Sequence, residues 1–452
     1  MKSSATDLTK GSIIKVLLFF TIPIMVGNIL QQMYNVADTA IIGNILGDNA
    51  LAAVGAAAAI YELCISSAGG FANGFAVIIA QNFGAKREEE LKKSIAWTYV
   101  LSISVAILIT IIGLLGIRPL LKVLETPERI IDQTAAYMQI IILFYVVSIF
   151  YNMFAAMLRA IGNSRAPIYF LAIATVINIV LDYIFEKYWN MGVAGVACAT
   201  GIAQLVSAIS CALYIKFKCP ILKFDRKNLK KDMGLVKDLF MTGLSMALMW
   251  VIVNIGSIAL QPAINSLGER MIAGYSAARR IDSVLMMPIG AFNSACATFT
   301  SQNFGAGRID RVKKGILASN LLCFIWNVFA CIIAYAFGGL FVKLLTGTQD
   351  TLVLETAVRY IKINVPFFSA LSVLIVLRSS LQGIGRKAAP LTTSVVELVA
   401  KFAAAGFVIS VLGFIGICYL EPIIWVICAF VVLIDYLIFI RKCKKREEQY
   451  GI

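Results

Sequence analysis

Segments long enough to cross a lipid bilayer dominate this sequence and leave few folds open to it. A hydrocarbon core takes ~20 apolar residues per helix, and about twelve stretches reach that length. They fall at roughly 13–45, 50–82, 93–116, 131–157, 166–186, 193–217, 238–263, 271–303, 314–337, 355–379, 389–411 and 415–440. The 452 residues are 60% hydrophobic and 14% charged. A soluble domain carries about a quarter charged residues. The chain therefore reads as an all-α polytopic membrane protein. Several stretches exceed the minimum length and call for tilt or bends. Pro23 lies inside the first span, where it removes a helix hydrogen bond and favours a kink.

A net charge of +15 raises the question of nucleic acid. Its distribution argues for a membrane instead. Basic residues cluster between apolar segments, in GAKREEELKK (84–93), KFKCPILKFDRKNLKK (216–231), GRIDRVKK (307–314) and RKCKKR (441–446). Lys and Arg mark cytoplasmic loops, and this pattern puts both termini inside. The ten cysteines are scattered singly, most of them within apolar runs, and read as small packing residues. No small-residue cleavage site follows the first apolar run, so no removable signal peptide is expected. The chain has no histidine, which excludes Ser–His and Cys–His catalytic units and His-ligated zinc.

The sequence repeats itself. QNFGA occurs at 81–85 and again at 302–306, each copy ending a long span before a basic loop. LRAIGNSRAP (158–167) matches LQGIGRKAAP (381–390), and ILGDNALAA (45–53) more weakly matches SLGERMIAG (266–274). The offsets, 221 to 223 residues, are nearly constant. Six spans per copy give both halves the same orientation, so the repeat is parallel, about an axis along the membrane normal. This divides the chain into an N-lobe (1–217), a basic cytoplasmic linker (218–237) and a C-lobe (238–452).

Polar residues inside spans mark candidate function. Gln31, Tyr34, Asn35 and Asp38 follow i, i+3, i+4, i+7 spacing and share one helix face. A carboxylate at mid-span costs roughly 2.5–3.5 kcal/mol on insertion scales and faces a cavity or a partner. The fifth span adds Asn178 and Asp182, four apart, and the sixth adds Thr200 and Gln204, also four apart. Asp38, Asp182 and Thr200 all lie within about 10 Å of the outer ends of their spans, at ~1.5 Å per residue. Two carboxylates, an amide and a hydroxyl at one depth suit a hard cation such as Na⁺, or a proton in its place. An interfacial position for Asp182, or a buried acid–amide pair for Asp38, is the blander reading. The second half lacks these acids: Ala259, Lys401 and Ala405 align with Asp38, Asn178 and Asp182. It carries Glu397 and Lys401, four apart, and Arg280 with Asp282, which could pair with each other or with Glu397.

Together these features resemble the multidrug and toxic compound extrusion (MATE) family. The resemblance rests on both QNFGA copies with their basic loops, IPIMVGNILQQMYNVADTAIIGNILG (22–47), LETPE (124–128), LRAIGNSRAP with its partner, and AARRIDSVLMMPIGAF (277–292). It covers essentially the whole chain. It implies twelve transmembrane helices in two six-helix lobes of a V-shaped antiporter, with no enzyme activity and no cofactor beyond a coupling ion, H⁺ or Na⁺. The Asp38 and Asn178-x₃-Asp182 pattern is similar to the DinF-like branch. By that likeness Asp38, Asn178, Asp182 and Thr200 would hold the proton or Na⁺, and Pro23 would be the bend of the first helix. Gln31, Tyr34 and Asn35, with Tyr137, Asn152 and Gln204, would line the substrate cavity. The NorM-like branch uses a carboxylate in the seventh helix, and MTGLSMALMWVIVNIGSIAL (241–260) has none. The expected cargo is an amphipathic organic cation. The expected setting is a plasma (inner) membrane, with the protein a monomer in the lipid bilayer and no nucleic-acid partner. A lipid or lipid-linked sugar flippase of the same superfamily is the nearest alternative. An intramembrane enzyme fits less well, since no GxGD motif surrounds Asp38 or Asp182, and so does a passive channel, since the polar residues cluster in the outer part of one half.

Overall fold

The computed structural model describes residues 6–450. Among these no β-strand occurs. The first half runs through α1 (Ile13–Ile41), a π-helical turn at Ile42–Leu46, α2 (Asp48–Gly84), α3 (Glu88–Val123), α4 (Glu128–Leu143), α5 (Tyr145–Ala160), α6 (Ala166–Lys187) and α7 (Val193–Lys218). The second half runs through α8 (Met233–Ala259), α9 (Gln261–Asn265), α10 (Glu269–Gly305), α11 (Ile309–Thr346), α12 (Thr351–Asn364), α13 (Phe368–Gly383), α14 (Ala388–Ala403), a π-turn at Ala404–Val408 and α15 (Ile409–Tyr450).

The sequence repeat reappears as a repeat of elements. α2 and α10 are each 37 residues long. α3 and α11 have 36 and 38 residues. A span broken into two helices follows in each half, α4 with α5 and α12 with α13. The first pair bends by 47°. Among the described residues ten helices or helix pairs are long and apolar enough to cross a membrane, and α4 with α5 makes an eleventh. α10, the partner of α2, is as long but more polar, because it carries Arg279, Arg280 and Asp282. α1 stays helical through Pro23, and its α-helix gives way at the π-turn that follows Ile41.

Side-chain placement fits lipid rather than water. Large apolar residues stand on the outside, among them Phe19, Leu115, Val123 and Leu344. In water such a surface would drive aggregation. Facing hydrocarbon it costs nothing, and polar groups turn inward instead: Asn178, Asp182, Asp282, Asn364 and Lys401 are all buried. The chain is a multi-pass membrane protein.

Two compact units emerge. Among the described residues, the first holds 6–10, 22–251 and 301–307, and the second holds 11–21, 252–300 and 308–450. Within the first, helices close on one another through small residues. A Cβ on Gly70 would come within 2.4 Å of Ala247 Cα, and one on Gly74 within 2.5 Å of Gly243 Cα. Two small-xxx-small pairs thus bring α2 and α8 into backbone contact, as membrane helices without a hydrophobic driving force require.

The QNFGA motif has the same cause. A Cβ on Gly84 would lie 2.0 Å from Gln302 O, and one on Gly305 would lie 2.0 Å from Gln81 O. The two copies pack reciprocally, each glycine on the other's glutamine backbone. Gln302 is buried and also ties in the N-terminal segment: Leu8 N–H donates to its Oε1 at 3.0 Å, and its Nε2 donates to Ala160 O at 2.7 Å. The basic segment after α7 docks on α3. Trp97 Nε1 donates to Lys230 O at 3.1 Å, and Lys230 Nζ pairs with Glu89 at 3.1 Å.

Candidate functional site

Three helices of the first unit bring their polar residues to one point. α1 contributes Tyr34 and Asp38, α6 contributes Asn178 and Asp182, and α7 contributes Thr200. Four-residue spacing on α6 stacks Asn178 and Asp182 on one face, and neither is exposed. The orientation that gives the Asn178 amide fitting partners turns its nitrogen toward both acids. It then donates to Asp38 Oδ1 at 2.7 Å and to Asp182 Oδ2 at 3.2 Å. Bridged by this one amide, the carboxyl groups of Asp38 and Asp182 are close electrostatic neighbours. Tyr34 is buried and its hydroxyl donates to Thr200 Oγ1 at 3.0 Å. Asp182 Oδ1 is buried with no hydrogen-bond partner.

Like charges so close call for a positive charge between them, and one amide supplies only a partial one. The cluster has the chemistry to hold a proton or a small hard cation. One more turn of α6 adds Glu186, buried beside Asp182, whose Oε2 accepts from Gly192 N at 3.2 Å. Glu186 sits at the helix end, where a charge is unremarkable in sequence, though its spacing continues the Asn178–Asp182 face.

The remaining N-half candidates separate. Gln31 and Asn152 line a cavity of about 210 Å³ between α1, α5 and α6, together with Asn28, Arg159 and Ser164. Gln204 accepts from Ser148 Oγ and, with Thr200 and Tyr61, lines a much smaller space. Tyr137 is buried against Tyr61, with ring centroids 6.5 Å apart. Asn35 is exposed on α1, and its backbone oxygen accepts from Thr39. Pro23 is half-buried within α1.

The second unit holds a different kind of polar core. Lys401 Nζ lies 3.0 Å from Glu397 Oε1, 3.4 Å from Glu421 Oε1 and 3.3 Å from Ser257 Oγ. Arg378 approaches Glu397 Oε2 at 3.6 Å. Arg279 joins Glu421, Asp282, Tyr275 and Tyr360 in one electrostatic group. Three cations thus face three carboxylates. Arg280, which the sequence pairs with Asp282 or Glu397, is exposed; its half-buried neighbour Arg279 faces the acids instead, a rotation of about 100° around a helix of 3.6 residues per turn. Arg378 and Glu421 escaped the sequence reading because each lies close to a span end, where a charge needs no partner.

The MatE family model matches residues 23–184 and again 245–406, one match per half. The probable multidrug resistance protein YpnP of Bacillus subtilis is 28% identical over 365 residues, covering 80% of this chain and 81% of that protein. YoeA of the same organism, also named a probable multidrug resistance protein, is 29% identical over 353 residues, 76% of each chain. NorM of Thermotoga maritima is 24% identical over 390 residues, 85% of this chain and 83% of that one. Among solved structures, an outward-facing multidrug resistance MATE transporter of the MOP superfamily superposes with a TM-score of 0.89 at 22% identity, covering 98% of each chain. A MATE protein in complex with MaL6 gives 0.89 at 21% identity, covering 98% of this chain and 100% of the other. With the family model on both halves of a repeated, membrane-spanning helical fold, the chain belongs to the MatE family and is a MATE transporter of small molecules.

Proposed function

We propose that this protein is a cation-coupled antiporter that exports amphipathic organic cations in exchange for H⁺ or Na⁺, with Asp38, Asn178, Asp182 and Thr200 as its coupling site. The observation that carries the reading is the Asn178 amide held between two carboxyl groups from different helices. α1 bears Asp38 and α6 bears Asp182, so an ion between them ties α1 to α6, and its loss frees α1. Coupling requires that the ion favour one state of the protein over the other, and a site split between two helices has that property. The relatives' names as multidrug resistance proteins support drugs as cargo. The basic inner loops support a plasma-membrane setting with both termini cytoplasmic.

The test uses protein reconstituted into liposomes, with ethidium uptake followed by fluorescence under an imposed proton or sodium gradient. Wild type should drive uptake with one gradient, which names the ion, and Asp38→Asn should not. Uptake by Asp38→Asn at the wild-type rate would move the coupling site elsewhere.

A further inference from the structure

Among the described residues Arg159 forms no ion pair with a carboxylate. It lies in the last turn of α5, half-buried, and lines the 210 Å³ cavity. Among the described residues its hydrogen bond is to Asn73 Oδ1 at 3.2 Å, and no acidic residue lines the cavity with it. A guanidinium carries five N–H donors, so one neutral acceptor leaves most of the fork unused. A basic residue near a helix C-terminus is stabilised by the macrodipole. That accounts for the charge. It does not account for the neutral hydrogen-bonding groups of Asn28, Gln31, Asn152 and Ser164 converging on the same space.

We infer that the cavity between α1, α5 and α6 is an anion-recognition subsite, in which Arg159 and these neighbours take the carboxylate or phosphate end of an amphipathic ligand. Guanidinium matches such oxyanions with paired hydrogen bonds, and the amides and hydroxyl supply donors around it. The inference deepens the transport reading and rests on it. Gln31 lines the cavity and Asp38 lies seven residues further along the same face of α1, about 10 Å away at 1.5 Å per residue. The first unit therefore presents a basic pole in the cavity and an acidic pole at Asp38, an arrangement suited to a zwitterion more than to a simple cation. The repeat gives an independent contrast: the residue aligned with Arg159 in the second half is Gln382, so the charge is specific to this lobe.

The test compares two dyes that differ in one group. Rhodamine 110 carries a free carboxylate, and rhodamine 123 is its methyl ester. Binding to the full chain in phosphatidylcholine nanodiscs is read by fluorescence anisotropy. Wild type should hold the acid roughly tenfold more tightly than the ester, the scale of a hydrogen bond to a charged group. Arg159→Gln should abolish that preference while binding the ester as wild type does, and ester binding reports that the variant is folded. Arg159→Lys, which keeps the charge but not the fork, should fall between. A wild type that binds both dyes equally, prefers the ester or binds neither overturns the inference, as does a preference that survives Arg159→Gln. Repeating the comparison with added phosphatidylglycerol separates two sources of the anion. Loss of the acid's advantage assigns the subsite to a lipid headgroup, and its persistence assigns it to free cargo. The transport reading fails separately, if Asp38→Asn leaves gradient-driven uptake intact.

Discussion

Replacing Lys401 by methionine removes the central cation of the second unit. The side chain is 2% exposed and stands 3.0 Å from Glu397 and 3.4 Å from Glu421. At an effective dielectric of about 20, each contact is worth roughly 5 kcal/mol before desolvation. The net value of a buried pair is far smaller, because both ions leave water to make it. Removing one partner is another matter: the charges left behind stay buried, and the cost is about 3–5 kcal/mol. Glu397 keeps Arg378 at 3.6 Å and Glu421 keeps Arg279, which puts Lys401→Met at the lower end of that range. Thermal unfolding in detergent should show a fall in melting temperature of roughly 6–12 °C, at 2–4 °C per kcal/mol for a unit of this size. Adding Glu421→Gln removes the charge that Lys401 leaves unbalanced and should recover most of the loss. A single variant that melts with wild type would mean that these ion pairs do not hold the second unit together. A double variant less stable than the single would refute the charge-balance argument itself.

Other changes should separate structure from coupling. Asn178→Leu removes the donor shared by Asp38 and Asp182, a loss of about 1.5–3 kcal/mol per charge-assisted bond; gradient-driven uptake in liposomes should fall tenfold or more while the protein still elutes as a single peak. Gly84→Ala and Gly305→Ala should each lower the melting temperature, and by similar amounts, since each Cβ meets the opposing glutamine carbonyl at 2.0 Å; unequal effects would break the reciprocal packing. Tyr34→Phe loses one neutral hydrogen bond to Thr200, worth about 1 kcal/mol, and should shift the apparent affinity for the coupling ion by less than tenfold.

Much of the architecture was legible because a bilayer leaves a helix few options. Span positions follow from apolar length, and the halves follow from QNFGA and LRAIGNSRAP. Proximity across helices is harder to read. The Asn178–Asp182 face follows from spacing on α6, and equal depth brought Asp38 and Thr200 into the same layer. No periodicity says that the Asn178 amide sits between the acids, since that depends on how α1 and α6 rotate about their axes. The choice of Arg279 over Arg280 turns on the same unknown. Neighbouring residues of one type differ only by a step around the helix, and packing decides which one faces inward. Gln31 and Asn152 read as cavity residues, but the cavity's charge did not, because Arg159 ends α5 beside a loop, where a basic residue is ordinary.

Coupling of this kind requires competition between ion and cargo at the Asp38–Asn178–Asp182 cluster. The direct measurement is the affinity of the purified protein for a fluorescent organic cation, titrated across pH at fixed Na⁺ and across Na⁺ at fixed pH. One of the two ions should weaken cation binding in proportion to its concentration, and Asp38→Asn should erase that dependence. Affinity that ignores both ions in wild type, or that keeps the same dependence in Asp38→Asn, would contradict the coupling mechanism.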